Sequence, residues 1–266
     1  MSLLLIDVGN TKLKWCFENG QQVLFGEMPS EKGLEQALEG VAERIGIPCR
    51  IGLSCVKSNQ YEQQLVALLK AVFNRDPFVA KVSRAACGVE CSYPEPTRMG
   101  VDRWLAMISV RHQVSGAFCV IDCGSAVTFD WVSAAGSHQG GYILPGLRLS
   151  IEALLQGTDQ VIVDYDKLSD ATLCPGSNTT DAVYNGAMFS LVAQAASAYE
   201  YLLQLAGQGE CVLVITGGDA ALLSANLACP HRFMDGLVFD GLKVMMGIDL
   251  SCDTLPETPD TTVGGV

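Results

Sequence analysis

Two tetrapeptides stand out for the chemistry their residues permit: Ile6-Asp7-Val8-Gly9 and Ile121-Asp122-Cys123-Gly124. Each ends an apolar run with a carboxylate and then a glycine. Small hydroxyl or amide residues follow: Asn10 and Thr11 in the first, Ser125 and Thr128 in the second. A carboxylate at the end of a hydrophobic strand is costly unless it meets a cation or a hydrogen-bond donor. Glycine lets backbone N–H groups approach a ligand with no side chain in the way. The combination suits a phosphate and its metal ion. Asn10, Thr11 and Lys14 can donate to phosphate oxygens, and Asp7 can hold Mg2+ through water. One Asp-x-Gly is an ordinary turn signal. Two, half a chain apart, read as related halves closing on one nucleotide.

Three further groups carry weaker signals. In Tyr93-Pro94-Glu95-Pro96-Thr97-Arg98-Met99-Gly100-Val101-Asp102-Arg103, prolines stiffen the approach and Gly100 lets the chain turn into a helix. Asp102 then sits in the first helical turn, where the helix dipole favours a carboxylate. Such a group can take a proton from a bound hydroxyl during phosphoryl transfer, and Arg103 can grip an acid bidentately. A solvent-exposed helix start would have the same residues. Gly217-Gly218-Asp219 follows the apolar run Cys211 to Thr216, either facing a nucleotide or turning into a helix capped by Asp219. Gly140-Gly141-Tyr142-Ile143-Leu144-Pro145-Gly146 ends a predicted strand and either frames a pocket or simply turns. Asn178 or Thr179 caps a helix whose free N–H groups can bind a carboxylate. His112, His138 and His231 are isolated and read as structural or surface residues.

The elements that must position these residues follow from periodicity. Residues 3–8 form a buried strand. The alternation of Lys12, Lys14 and Cys16 with Leu13, Trp15 and Phe17 predicts a second strand, and Asn19-Gly20 predicts the hairpin turn to a third over 21–27. Leu34, Leu38, Val41 and Ile45 recur at helical spacing. A strand over 50–56, a helix from Ser58 to Phe73 and a strand over 77–82 follow. After a helix over 101–113 that crosses between halves, the pattern restarts: strands 117–122, 126–132 and 138–144, a helix over 147–155, one or two helices from Asn178 to Ala206, a strand over 211–216 and a closing helix over 236–248. This order fits an α/β protein of two RNase H-like, actin-like ATPase domains with a nucleotide cleft between them. The expected division is 1–114 and 115–250, with a disordered tail over 251–266.

Composition narrows the function classes. A net charge of −12 argues against a general nucleic-acid binder. An apolar content of 49% with 17% charged residues predicts a folded, soluble protein. No segment has the form of a signal peptide or the length of a membrane span. The 11 cysteines contain no Cys-x-x-Cys and read as reduced, core-filling residues of a cytoplasmic protein.

Taken in order, six motifs resemble the type III pantothenate kinase family of the acetate and sugar kinase/Hsp70/actin superfamily. They are Asp7-x-Gly-Asn-Thr-x-x-Lys14, Gly100-x-Asp-Arg103, Asp122-x-Gly-Ser-Ala-x-Thr128, Gly141-Tyr-Ile-Leu-Pro-Gly146, Asn178-Thr179 with Ala182 and Gly186, and Gly217-Gly218-Asp219. The resemblance covers about residues 3–248. It implies ATP-dependent phosphorylation of pantothenate to 4′-phosphopantothenate, the first step of coenzyme A biosynthesis. It assigns ATP binding to Asp7, Val8, Gly9, Asn10, Thr11, Lys12, Leu13, Lys14, Ser125, Gly217 and Gly218. It assigns the catalytic base to Asp102, and pantothenate binding to Tyr93, Gly100, Val101, Asp102, Arg103 and Thr179. Asp122 resembles the ligand of a monovalent cation, K+ or NH4+, and Mg2+ is the divalent ion. The resemblance further implies a homodimer whose second subunit completes part of the pocket. Ser125 stands where the family usually has Thr; the hydroxyl is kept and a methyl is lost. The alternatives are another small-acid or sugar kinase of the superfamily, and a regulatory protein that binds a nucleotide without catalysis.

Overall fold

A computed structural model of the chain describes residues 1–30, 33–158, 161–164 and 171–250. The apolar run Leu3–Val8 is strand β1. It pairs antiparallel with β2 (Lys12–Glu18) and parallel with β4 (Arg50–Cys55). β3 (Val23–Pro29) and β5 (Phe78–Val79) complete a five-stranded sheet ordered β3-β2-β1-β4-β5. A second sheet repeats this order with β8 (Ala117–Cys123) at its centre: β10-β9-β8-β11-β12. Here β9 is Ala126–Val132, β10 His138–Pro145, β11 Cys211–Thr216 and β12 Arg232–Phe233. The doubled architecture expected from the sequence is present.

Strand alternation sorts the core. Leu4, Ile6 and Val8 of β1 face outward onto α1 (Leu34–Ile45) and α2 (Asn59–Phe73) through Leu38, Val41, Leu65, Leu69 and Phe73. Leu3 and Leu5 face inward onto α3 (Val101–Gln113) and α7 (Leu237–Met245), meeting Val101, Leu105 and Leu242. In the second sheet Cys119, Ile121 and Cys123 face outward onto α4 (Leu147–Gln156), α5 (Thr179–Ala206) and α6 (Ala220–Asn226). Phe118 and Val120 face inward onto Trp104, Met107, Ile108 and Leu237. α3 and α7 therefore lie between the two inner faces. Every α3 residue from Arg103 to Val110 is buried, as expected of a helix enclosed on all sides. The two helices touch closely: a Cβ on Gly241 would stand 2.2 Å from the Leu105 carbonyl oxygen.

The structure departs from the sequence reading at small elements. Only Phe78–Val79 of the strand expected over 77–82 pairs in the sheet. A hairpin of β6 (Ala85–Ala86) and β7 (Val89–Glu90) was unforeseen, because its turn is Cys87-Gly88, with φ of 49° and 80°. The closing helix is shorter than 236–248, and Asn178 to Ala206 gives a single helix. Ser58 caps α2 by accepting from the Tyr61 N–H at 3.3 Å. Cys16, Cys55, Cys91, Cys119 and Cys123 are buried free thiols. Burial pushes the Cys123 thiol up to about 12, so it acts as packing rather than as a nucleophile. No helix among the described residues is long and apolar enough to cross a membrane. The tail expected to be disordered, 251–266, lies outside the described residues.

Candidate active site

The alternation that buries Leu3 and Leu5 against α3 also turns Asp7 to the inner face. Across the sheet Asp7 pairs with Lys14 on β2 and Ser54 on β4. Ser54 Oγ donates to Asp7 Oδ1 at 2.8 Å. Asp122 holds the equivalent place in the second sheet, between Thr128 on β9 and Thr216 on β11. Asp102 lies in the first turn of α3, between the sheets. Gly100 caps this helix, and a Cβ there would stand 2.5 Å from Asp102 Oδ1, so glycine makes room for the carboxylate. Asp102 Oδ1 in turn accepts the Arg103 N–H at 2.8 Å.

These three carboxylates sense one another. Burial pushes Asp7 up to about 7; the Ser54 hydrogen bond opposes this, and the charges of Asp102 and Asp122 add to it. Burial and then Asp102 push Asp122 up to about 6. Burial also raises Asp102. Lys14 lowers both Asp7 and Asp122. Desolvated like charges at the end of two sheets favour a bound cation. Among the described residues no three His, Cys, Asp or Glu side chains form a ready cage. The donor set fits a hard ion that keeps much of its water and takes phosphate oxygens, with one or two carboxylates from the protein.

The glycine motifs close around this cluster. A Cβ on Gly217, at φ 97°, would stand 2.5 Å from Asp122 Oδ1, and the Asp219 N–H donates to the Cys123 carbonyl at 3.0 Å. Asp219 caps α6 without a side-chain hydrogen bond, so backbone contact to the Asp122 turn is what fixes this corner. A Cβ on Gly146 would stand 2.3 Å from the Gly124 carbonyl oxygen, and the Gly146 N–H donates to the Ser125 carbonyl at 3.0 Å. Asn10, Thr11, Lys12, Lys14, Ser125 and Gly218 are exposed at the open end of the site. Lys12 is held by Glu27 at 2.5 Å. Val8 and Leu13 are fully buried in the outer core and Val101 packs in the inner one, so only their backbones can face a ligand. Within 7–14 the strand ends anchor the segment, and the turn Asn10 to Lys12 presents it.

Arg103 is buried rather than open. Its Nε and Nη2 donate to Asp130 Oδ2 and Oδ1 at 2.8 and 2.6 Å, and its Nη1 donates to the Tyr93 hydroxyl at 3.1 Å. Burial works against its charge, but Asp130 outweighs this and raises the pKa further above its ordinary value. His138 is also buried, with Nε2 3.0 Å from Asp130 Oδ1 and Nδ1 2.9 Å from Ser92 Oγ. Reading His138 as an isolated residue is thus corrected: it belongs to the Arg103 cluster. The detectable signal was Asp130, a carboxylate inside the apolar strand Ala126–Val132. Thr179 is elsewhere. It follows Asn178, which caps α5 by accepting the Asp181 N–H at 3.0 Å, and it lines a cavity of about 670 Å3 with Ser150, Ile151, Ala182 and Gly186. None of Asp7, Asp102 and Asp122 lines that cavity.

Two sheets of identical order, helices between them and carboxylates at equivalent strand ends define a kinase-type α/β fold of the actin-like ATPase class. A solved structure with this fold is a putative 2-dehydro-3-deoxygalactonokinase from Sinorhizobium meliloti, with TM-score 0.53 and 13% identity over 96% of this chain and 100% of that one. The family model of type III pantothenate kinase matches residues 3–201. A type III pantothenate kinase of Chromohalobacter salexigens is 37% identical over 246 residues, covering 91% of this chain and 86% of that protein. Another from Alcanivorax borkumensis is 34% identical over 242 residues, covering 91% and 97%. The chain belongs to the type III pantothenate kinase family, and is an enzyme that transfers a phosphoryl group to an alcohol.

Proposed function

We propose that this protein transfers the γ-phosphoryl group of ATP to the primary hydroxyl of pantothenate, with Asp102 as general base. The observation that carries the reading is the inward convergence of Asp7, Asp102 and Asp122 between two matched sheets. The exposed turn Gly9 to Lys12 and the Gly217-Gly218 corner offer backbone and side-chain donors to the phosphates. Lys14, beside Asp7, adds positive charge there. Mg2+ held through water at Asp7, and a monovalent cation at Asp122, would neutralise charge on the phosphate chain. Asp102 has one oxygen held by the Arg103 N–H, which leaves Oδ2 to accept the hydroxyl proton. Its burial makes it a stronger base than an exposed aspartate. Arg103 and Tyr93 would receive the pantothenate carboxylate. ATP as donor fits a cytoplasmic protein.

Thr179 would serve the site of a second subunit. Exposed apolar side chains support a homodimer: Tyr142 and Ile143 on β10, Leu149 and Leu154 on α4, and Phe189 and Tyr201 on α5. Tyr142 and Tyr201 both meet Trp131 edge-on, which makes them neighbours on one face.

The test is coupled-assay turnover with pantothenate and ATP. Asp102→Asn is expected to fold, to bind ATP as wild type does, and to lose about a thousandfold or more in kcat; near wild-type turnover would remove Asp102 from the role of base. Exchanging K+ for Na+ at constant ionic strength in the same assay probes Asp122, and equal rates would count against a monovalent site there.

A further inference from the structure

We propose that Asp130 and His138 are positioning residues for the acceptor, locking Arg103 and Tyr93 in the orientation that receives an acidic substrate. The inference rests on the assignment of those two side chains to pantothenate. His138 is 2% exposed, and each side of its ring is engaged. Nε2 meets Asp130, Nδ1 meets Ser92, and the ring stacks on Tyr93 with centroids 6.1 Å apart and planes at 29°. Tyr93 is thereby held twice, by His138 against its ring and by Arg103 at its hydroxyl.

A backbone irregularity makes this contact. β10 pairs His138 with Val132 but Gly140 with Trp131 and Gly141 with Asp130, so one residue is inserted between His138 and Gly140. A single inserted residue reverses which face of the sheet the preceding side chains take. Without it, His138 would lie on the face opposite Gly141 and Asp130. With it, the imidazole reaches the inner face. Gly141 keeps the space clear: a Cβ there would stand 2.5 Å from both Arg103 Nη2 and Asp130 Oδ1.

The chemistry favours orientation over stability. A buried ion pair adds little net stability relative to apolar packing, because two charges must be desolvated. What Asp130 does supply is direction. It occupies Nε and one N–H of Nη2, and Tyr93 takes one N–H of Nη1. A guanidinium has five N–H groups, so one remains on each of Nη1 and Nη2 as a donor for a carboxylate. His138, bonded to Asp130, fixes the carboxylate that fixes the guanidinium.

The experiment compares His138→Ala, His138→Gln and Ser92→Ala with wild type, reading kcat, KM for each substrate, and pantothenate binding by calorimetry without ATP. His138→Ala is expected to raise the pantothenate KM and Kd about tenfold, with kcat and the KM for ATP within about twofold. Glutamine offers both an N–H for Asp130 and an acceptor for Ser92, so His138→Gln is expected to recover most of the affinity. Ser92→Ala, an exposed change that serves if His138→Ala does not fold, is expected to raise the pantothenate KM about threefold. An unchanged pantothenate KM in folded His138→Ala, or in Ser92→Ala if that is the variant read, overturns the inference. So does a fall in kcat with a parallel rise in the KM for ATP, which marks a general structural role. Wild-type protein that neither binds nor phosphorylates pantothenate fails earlier and removes the acceptor assignment itself.

Discussion

Asp7 and Asp122 are the residues whose type was most legible in the sequence, because a carboxylate at the end of an apolar run has few inexpensive explanations. Their electrostatics carry a stability consequence. A raised carboxyl pKa means that the folded state binds more protons than the unfolded state between the two values. For Asp7 those are 3.8 and about 7, so folded stability should decline as pH rises through that window and stay low above it. Asp7→Asn is expected to gain about 2 kcal/mol in urea unfolding at pH 7.5 without nucleotide, to flatten the decline between pH 4 and 7, and to be inactive. An unchanged pH profile in that variant would show that Asp7 bears no such penalty. Asp130 and His138 were not legible in the same way. They are separated by a turn, and the contact depends on an inserted residue that no local pattern announces. Val8 and Leu13 lie within the first motif and fill the core with their side chains.

At the scale of elements, strand parity does most of the positioning. The same alternation that packs Leu5 against Leu105 carries Asp7 inward, and the one that packs Val120 against the inner helices carries Asp122 inward. This much followed from apolar runs and Asn-Gly turn chemistry, which is why β1, β2, β4, β8, β9 and β11 were found within a residue or two. Short edge pairs escaped because two residues carry no period; the β6–β7 turn escaped because Cys87 at φ 49° is not a usual turn residue. The crossing of α3 and α7 was invisible in sequence, since Gly241 looks like any helical glycine. A methyl group on residue 241 would meet the Leu105 carbonyl oxygen at 2.2 Å, so Gly241→Ala must push the helices apart. We expect a loss of about 2–3 kcal/mol in urea unfolding. It should come with a raised KM for both substrates, because Asp102 rides on α3. A neutral substitution would mean that the crossing yields without cost.

At the scale of the whole molecule, the separation of Thr179 from the carboxylate cluster makes a sharp test of shared sites. Asp102→Asn and Thr179→Glu should each be inactive alone. In a mixed dimer one site would carry both defects and the other none. Random reassociation of equal amounts should therefore restore about a quarter of wild-type activity by the arithmetic of a two-fold assembly. Mixtures that stay inactive after verified subunit exchange would place Thr179 in the site of its own chain. Within a single chain, the boundary we propose after residue 114 separates sequence but not cores. Leu242 and Met246, from the second half, fill the space under β1, while Trp104 and Ile108, from the first, fill the space under β8. Lys243 on α7 reaches Glu18 on β2 at 2.5 Å. Each half lends the other a helix. During synthesis, then, the inner face of the first sheet has α3 but lacks its α7 cover until residues 237–245 have emerged, so closure of the two halves is expected to be a late event of folding.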